Sequence, residues 1–421
     1  MASNMFSVLK IRDFRLLWLG LIVSNLGTWA QLYAEQWYVF SFNESATDVS
    51  MLIFVQAVPN ILFMLLGGIL ADRFNRRKLL FFTQGMQAFL TLLLAVFITM
   101  NVMDLYLYYT INFLYGLLIG LDLPARRSIV PNIVPPEQLS KALSVYNATF
   151  QLAMFAGPVI GSTLVALFGY KMVFYLNFLS FSAILYAIWQ MKIPDKIQNV
   201  SVQPTLFSEL KNAGEAFRLH RVLLTMVILN FLFIALGRID YLFPSISDKL
   251  LHLGVETAGW LNSSLGIGYV IGSVLCGTFE KYFKQNVLAT LIFNTLALCL
   301  TTWAIAASPY LWIDCIALAI RGAVASIGGI VISNALQTTT PDQHMGKVMG
   351  VQSAVVSAAQ MASFPVGVMT DWFGIQTILN GLALSSLLIL GYVMVKRKQV
   401  NGMSSSKAQG ILLAKKDLKG L

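Results

Sequence analysis

Five ionisable side chains sit inside stretches otherwise too apolar to meet water: Glu35, Arg238, Asp240, Asp314 and Arg321. A sixth, Asp122, lies near the end of another such stretch. On insertion scales a charge in hydrocarbon costs at least ~2.5–3.5 kcal/mol, so each of these residues is a candidate for chemistry. A carboxyl group in an apolar cavity exchanges protons under the control of its desolvation and of any arginine nearby. An arginine there holds an anionic group or pairs with a carboxylate across the cavity. Arg238 and Asp240 are two positions apart, which on one helix directs them to different sides and predicts a poor mutual pair. Asp240 then needs another partner or a proton. Glu35, Asp240 and Asp314 either carry protons or sit hydrated near an interface. The rings around Glu35 (Trp29, Tyr33, Trp37 and Tyr38) either stack on a planar ligand or anchor the chain at the membrane interface.

The elements that must position these groups are membrane helices. The chain is 57% hydrophobic and only 11% charged, whereas a soluble domain carries roughly 25% charged residues. Its mean hydropathy is +0.71. Apolar runs long enough to span a bilayer, about 20 residues each, recur from end to end. Spans are predicted at 16–40, 49–70, 79–100, 105–123, 142–167 and 172–191, then at 222–246, 257–278, 287–307, 311–336, 348–370 and 375–395. A six-helix half at 1–191 is thus joined to a second at 222–395 by a cytoplasmic linker, 192–221. That linker's second part has the mixed spacing of a surface-lying helix. A basic tail fills 396–421.

Orientation follows from the basic residues. With the N-terminus inside, 25 of the 29 Lys and Arg fall in cytoplasmic segments, and the outer loops hold only Lys171 and Lys249. The net charge of +10 is therefore a topology signal and does not point to nucleic acid. Both termini are expected in the cytoplasm, in a bacterial inner or plasma membrane. No cleavable signal is expected, because the first span follows at once and no small-residue cleavage site precedes it. Cys276, Cys299 and Cys315 lie in apolar runs without metal-ligand spacing, and the three histidines are scattered. No metal, cofactor or disulfide framework is expected.

The chain also repeats. Pro136-Glu137-Gln138, ahead of a span ending at Phe168-Gly169, matches Pro341-Asp342-Gln343, ahead of a span ending at Phe373-Gly374, displaced by 205 positions. Arg15 matches Arg221 at 206 and Gly68 matches Gly277 at 209. A parallel duplication of six-helix halves is an architecture that rocks about a central site. Glu35 and Asp240, also 205 apart, would face each other across its axis.

The loop after the second span reads Gly68-Ile-Leu-Ala-Asp72-Arg73-Phe-Asn75-Arg76-Arg77-Lys78. It resembles the major facilitator superfamily signature G-x-L-A-D-R-x-G-R-R-K, with Asn75 at the second glycine. Asn tolerates a left-handed backbone, so the turn is expected to survive. Phe14-Arg15-Leu-Leu-Trp18 with Ser24-Asn-Leu-Gly27-Thr28-Trp29, and Leu123-Pro124-Ala125-Arg126-Arg127 with Pro135-Pro136-Glu137-Gln138-Leu139, are similar to the branch that includes enterobactin exporters and macrolide efflux pumps. Gly157-Pro158-Val-Ile-Gly161 resembles the fifth-helix motif of antiporters, with Pro365 at nearly the matching depth of span eleven. Proline kinks a helix and glycine lets helices approach.

The resemblance implies an all-α major facilitator fold of twelve membrane helices, with helices one, four, seven and ten lining a central cavity. The buried charges fall on those four helices. It also implies a cytoplasmic gate in which Asp72 pairs with arginines, so Gly68, Asp72, Arg73, Arg76, Arg77, Asp122, Arg126 and Arg127 are assigned to it. The function it implies is proton-coupled export of amphipathic small molecules such as drugs. A dedicated siderophore or metabolite exporter, an uptake symporter and a transporter-like sensor are the alternatives. Its partners are then a small-molecule substrate, protons and the lipid bilayer. The sequence carries no phosphate-binding G-x-x-x-x-G-K-[ST] loop and no enzyme-like nucleophile or metal cluster.

Overall fold

A backbone that crosses hydrocarbon must satisfy its own hydrogen bonds, and the apolar runs of this chain do so as helices. The computed structural model describes residues 7–73, 75–191, 221–340, 348, 351–352, 355–397 and 400. Its main helices are α1 (Arg12–Asn43), α2 (Ala46–Arg73), α3 (Arg76–Thr99), α4 (Leu105–Ile133), α5 (Leu139–Phe168) and α6 (Tyr170–Gln190), followed by α7 (Arg221–Gly237), α8 (Val255–Thr278), α9 (Val287–Ala307), α10 (Leu311–Thr339), α11 (Ser363–Phe373) and α12 (Ile375–Val395). Among the described residues there is no strand, and a helix stands at every expected span. The linker helix expected within 192–220 and the tail beyond 400 lie outside the described residues.

Nine described segments are long and apolar enough to cross a membrane, one of them running Leu223–Leu250 through the end of α7. Helices α1 and α4 fall short by that measure because they carry polar residues within their apolar runs: Asn25, Gln31 and Glu35 in α1, Asn112 and Asp122 in α4. These are the helices loaded with candidate functional groups. The described part of α11 is too short to judge.

Three spans depart from expectation: the fourth runs long, the seventh is broken, and the eleventh is interrupted by a turn at 361–362 before α11. Helix α4 continues ten residues past 123, to Ile133. Its 29 residues make a rod of roughly 43 Å, against a hydrocarbon core of about 30 Å, so bilayer thickness underestimated its length. The seventh span is broken. Helix α7 stops at Gly237, and the chain continues as a 3-10 turn (Asp240–Leu242), a three-residue helical turn (Phe243–Ser245) and a π turn (Ile246–Leu250). Pro244 in this segment cannot donate the hydrogen bond that a continuous helix needs.

Two of the positions matched across the chain share a backbone geometry. Gly169 joins α5 to α6 with φ +75°, and Gly374 joins α11 to α12 with φ +84°. Each single-residue joint needs a left-handed conformation that side chains resist, although a methyl group would meet no atom there.

The chain forms two compact units, Met1–Gln203 with Tyr241–Ser263, and Pro204–Asp240 with Ser264–Leu421. In the first, α1 packs on α5 and α6, α2 on α4, and α3 on α4 and α6. Residues 241–263 join this unit: the Lys249 ammonium lies 5.9 Å from the centre of the Phe40 ring. In the second unit α9 packs on α10 and α12, and α7 on the same pair.

Candidate functional site

Glu35 is 1% exposed, about two turns before the C-terminal end of α1. Its Oε1 accepts from Gln31 Nε2 at 2.7 Å, one helical turn away. Its Oε2 accepts from Gln56 Nε2 of α2 at 3.1 Å. The same Gln56 nitrogen donates to Asn112 Oδ1 of α4 at 2.7 Å, and Asn112 Nδ2 donates to the Tyr108 carbonyl at 3.0 Å. On the other flank, Asn177 Nδ2 of α6 donates to Gln31 Oε1 at 2.6 Å. The result is a rail of amides running α6–α1–α2–α4 with one carboxyl group at its centre. Every hydrogen-bond partner of that carboxyl among the described residues is a neutral amide, and none is a cation.

The rail partners Gln31, Gln56, Asn112 and Asn177 were not singled out from the sequence. A signal existed, since buried amides are costly unless paired and Gln31 is four residues from Glu35. Nothing local says which helices the other three would join. Of the rings expected to stack or anchor, Tyr33 and Trp37 are buried, Trp29 packs edge-on against Phe150 with ring centres 5.7 Å apart, and Tyr38 packs on Tyr108 and Tyr170 with ring centres 5.4 Å apart in each case.

A second cluster lies further along α4. Arg126 Nη2 and Nε reach Asp122 Oδ2 at 2.6 and 3.0 Å, and Nη1 reaches Asn25 Oδ1 of α1 at 3.3 Å. Asp122 Oδ1 accepts from Thr83 Oγ1 at 2.9 Å and Gln84 Nε2 at 2.7 Å, both on α3. The pair is buried, and its remaining hydrogen-bonding capacity is directed at α1 and α3.

Of the other residues assigned to a gate, Arg77 donates through Nε to the Ile188 carbonyl at 2.8 Å, and through Nη2 to that of Trp189. It thereby covers the carbonyl end of α6, where a cation is favoured. The side-chain surroundings of Gly68, Asp72, Arg73, Arg76 and Arg127 lie outside the described residues. Asn75 differs from expectation: its φ is −58°, and its side chain accepts from Lys78 N at 3.1 Å. It replaces glycine as a helix N-cap, and its own backbone is not left-handed.

In the second unit Arg238 and Asp240 form a two-pronged ion pair, with Nε to Oδ1 at 2.9 Å and Nη2 to Oδ2. This corrects the expectation that they diverge. Helix α7 has ended at Gly237, so helical spacing no longer governs them. Buried Arg321 of α10 is held by backbone carbonyls and a hydroxyl. It donates to the Leu298 carbonyl and to Thr302 Oγ1 of α9 at 3.2 and 2.5 Å, and to the Gly237 carbonyl at 2.6 Å. Gly237 ends α7, so the guanidinium caps the broken helix. Asp314 is buried in the first turn of α10, and neither carboxylate oxygen has a hydrogen-bond partner among the described residues.

The glycines of the fifth-helix motif serve close packing. Gly157 backs onto Trp29, and a methyl group on Gly161 would stand 2.5 Å from the Ala30 carbonyl oxygen of α1. Pro158 lies within a continuous α5, whereas Pro365 is in the first turn of α11, after a turn at 361–362. The two prolines therefore occupy different local settings. Gly161→Leu is expected to destabilise the fold by ~1–3 kcal/mol through overpacking, read as a lower midpoint of thermal unfolding in detergent. Gly381→Leu, where a methyl group meets no atom and leucine is the better helix former, is the control and should not lower it.

A family model described as transmembrane secretion effector matches residues 3–416. YfiS of Bacillus subtilis (strain 168), an uncharacterized MFS-type transporter, is 26% identical over 387 residues, covering 87% of this chain and 88% of that protein. Macrolide efflux protein A of Streptococcus pyogenes is 22% identical over 358 residues, covering 84% of this chain and 87% of that protein. The solved structure of the nucleoside transporter NupG matches with a TM-score of 0.71 at 12% identity, covering 92% of this chain and 99% of that one. At that identity the structural likeness speaks to the fold alone.

Proposed function

The chain belongs to the transmembrane secretion effector family of major facilitator transporters, and from that premise we propose that it exports amphipathic small molecules, drugs among them, in exchange for protons. The observation that carries this reading is the setting of Glu35: a fully buried carboxyl group whose hydrogen-bond partners are neutral amides. A carboxylate beside an arginine keeps its charge; one held by amides can change it. Asp240, engaged by Arg238, is the weaker carrier.

Both Glu35 oxygens accept hydrogen bonds, which suits the ionised form. When a proton arrives from outside, one oxygen becomes a donor, and the amide that faced it must turn to offer its carbonyl. If that amide is Gln56, its nitrogen also leaves Asn112. By that route, loading the proton breaks the Gln56–Asn112 hydrogen bond between α2 and α4, and losing it to the cytoplasm restores that bond. This joins charge to helix packing, as alternating access requires. A proton entering down 100 mV supplies about 2.3 kcal/mol. The bias of basic loops supports a plasma-membrane setting with both termini in the cytoplasm.

The test is efflux of a preloaded fluorescent amphipathic dye from expressing cells, with and without a protonophore. Efflux above that of empty cells, collapsing with the protonophore, is expected. Efflux that survives the protonophore would remove proton coupling. Dye handling identical to empty cells would remove broad export and favour a dedicated cargo such as a siderophore.

A further inference from the structure

A groove of about 620 Å³ opens on the flank of the first unit, between the start of α3 and the end of α6. Arg77 and Lys78 stand at its mouth, and Phe82, Gly85 and Trp189 line its length. Phe82 and Trp189 are 57% and 64% exposed. The first turn of α3 reads Arg76-Arg77-Lys78 and contains no acidic residue. A helix start favours negative charge, so this run of cations leaves the helix end in want of an anion. The Asn75 side chain already caps Lys78 N, and Arg77 commits Nε and Nη2 to the carbonyls of α6. Arg77 Nη1 and Lys78 Nζ have no acceptor among the described residues and remain at the mouth as donors.

Below them the groove is apolar. Lys78, Phe82 and Gly85 are four and three residues apart, so they follow one face of α3. At Gly85 no atom lies within 4 Å of where a methyl group would be, which leaves a trough bounded by the rings. From Lys78 to Gly85 the rise is roughly 10 Å. Cations at the membrane surface above a trough descending into hydrocarbon match an amphiphile with an anionic head. We propose that this groove holds one anionic phospholipid, its phosphate on Lys78 and Arg77 and its acyl chain along Gly85 between Phe82 and Trp189. Loop charge places this end in the cytoplasm, where a basic pocket at the surface selects anionic lipid.

Native mass spectrometry of the purified chain, delipidated and then given equal phosphatidylglycerol and phosphatidylcholine, tests this. The expected result is one phosphatidylglycerol retained in preference to phosphatidylcholine. Lys78→Gln should weaken that retention about fivefold. Gly85→Leu, which fills the trough with a better helix former and leaves both donors in place, should abolish it. Equal retention of the two lipids by the unaltered chain would overturn the proposal, and that comparison needs no variant to fold. Unchanged retention in Gly85→Leu would overturn it as well. So would displacement of the lipid by soluble glycerophosphate, since a free phosphate ester would then be the true occupant.

Discussion

Glu35→Gln is expected to reduce export to the level seen with a protonophore, while leaving the protein folded in the membrane. If one proton enters per molecule exported, losing the coupling forfeits about 2.3 kcal/mol at 100 mV. That corresponds to about a fortyfold lower attainable concentration ratio. The fold should tolerate the change. Glutamine keeps one acceptor oxygen for two donor amides, so one of the hydrogen bonds from Gln31 and Gln56 is lost, at a cost of ~1–3 kcal/mol. Counterflow, in which labelled substrate exchanges for unlabelled across proteoliposomes, needs no net proton movement and should persist. Glu35→Asp, which keeps a titratable group nearby, should retain part of the proton-driven activity. A Glu35→Gln protein whose efflux remains fast and protonophore-sensitive would transfer the role to Asp240 or Asp314.

How much of this site can be read from the sequence depends on the range of the interaction involved. Apolar run length fixes where helices form, and the 205-residue offset that pairs Phe168-Gly169 with Phe373-Gly374 reappears as two glycine joints of the same left-handed hand. Glu35 stands out from sequence alone because a charge within an apolar run is expensive wherever it points. The rail does not stand out: Gln56, Asn112 and Asn177 lie on three different helices, and only packing brings them into one line with Glu35. Asn75 shows a local rule misapplied, since the residue tolerates a left-handed backbone but caps helices equally well, and here the cap prevails.

The Arg238–Asp240 pair fails for a different reason. Helical spacing predicts divergence only while the helix continues, and α7 ends one residue earlier. Gly237 and Pro244 are both weak helix residues and signalled a possible break. Its position is fixed by Arg321, 84 residues downstream of Gly237, whose guanidinium captures the carbonyl at which α7 stops. A charge that looked available for substrate is thus engaged in holding the backbone of a broken helix.

The largest stability effect is expected at Asp122. Its ion pair with Arg126 is buried, with the two side chains 6% and 13% exposed. Asp122→Asn leaves a buried guanidinium without its counter-charge, and breaking such a pair costs ~3–5 kcal/mol. That is a large share of the ~5–15 kcal/mol by which folded proteins are stable. The variant should express poorly and unfold in detergent at a clearly lower temperature. Asp122→Asn combined with Arg126→Gln removes both charges, and neutral replacement of a buried pair is often tolerated, so the double variant should recover most of the loss. Thermal unfolding of the two single variants and the double variant closes the cycle and isolates the coupling. If the double variant is no more stable than Asp122→Asn, the pair is not what braces α4. The brace would then rest on the bonds from Thr83 and Gln84 to Asp122 Oδ1, and Thr83→Val with Gln84→Leu would be the destabilising change.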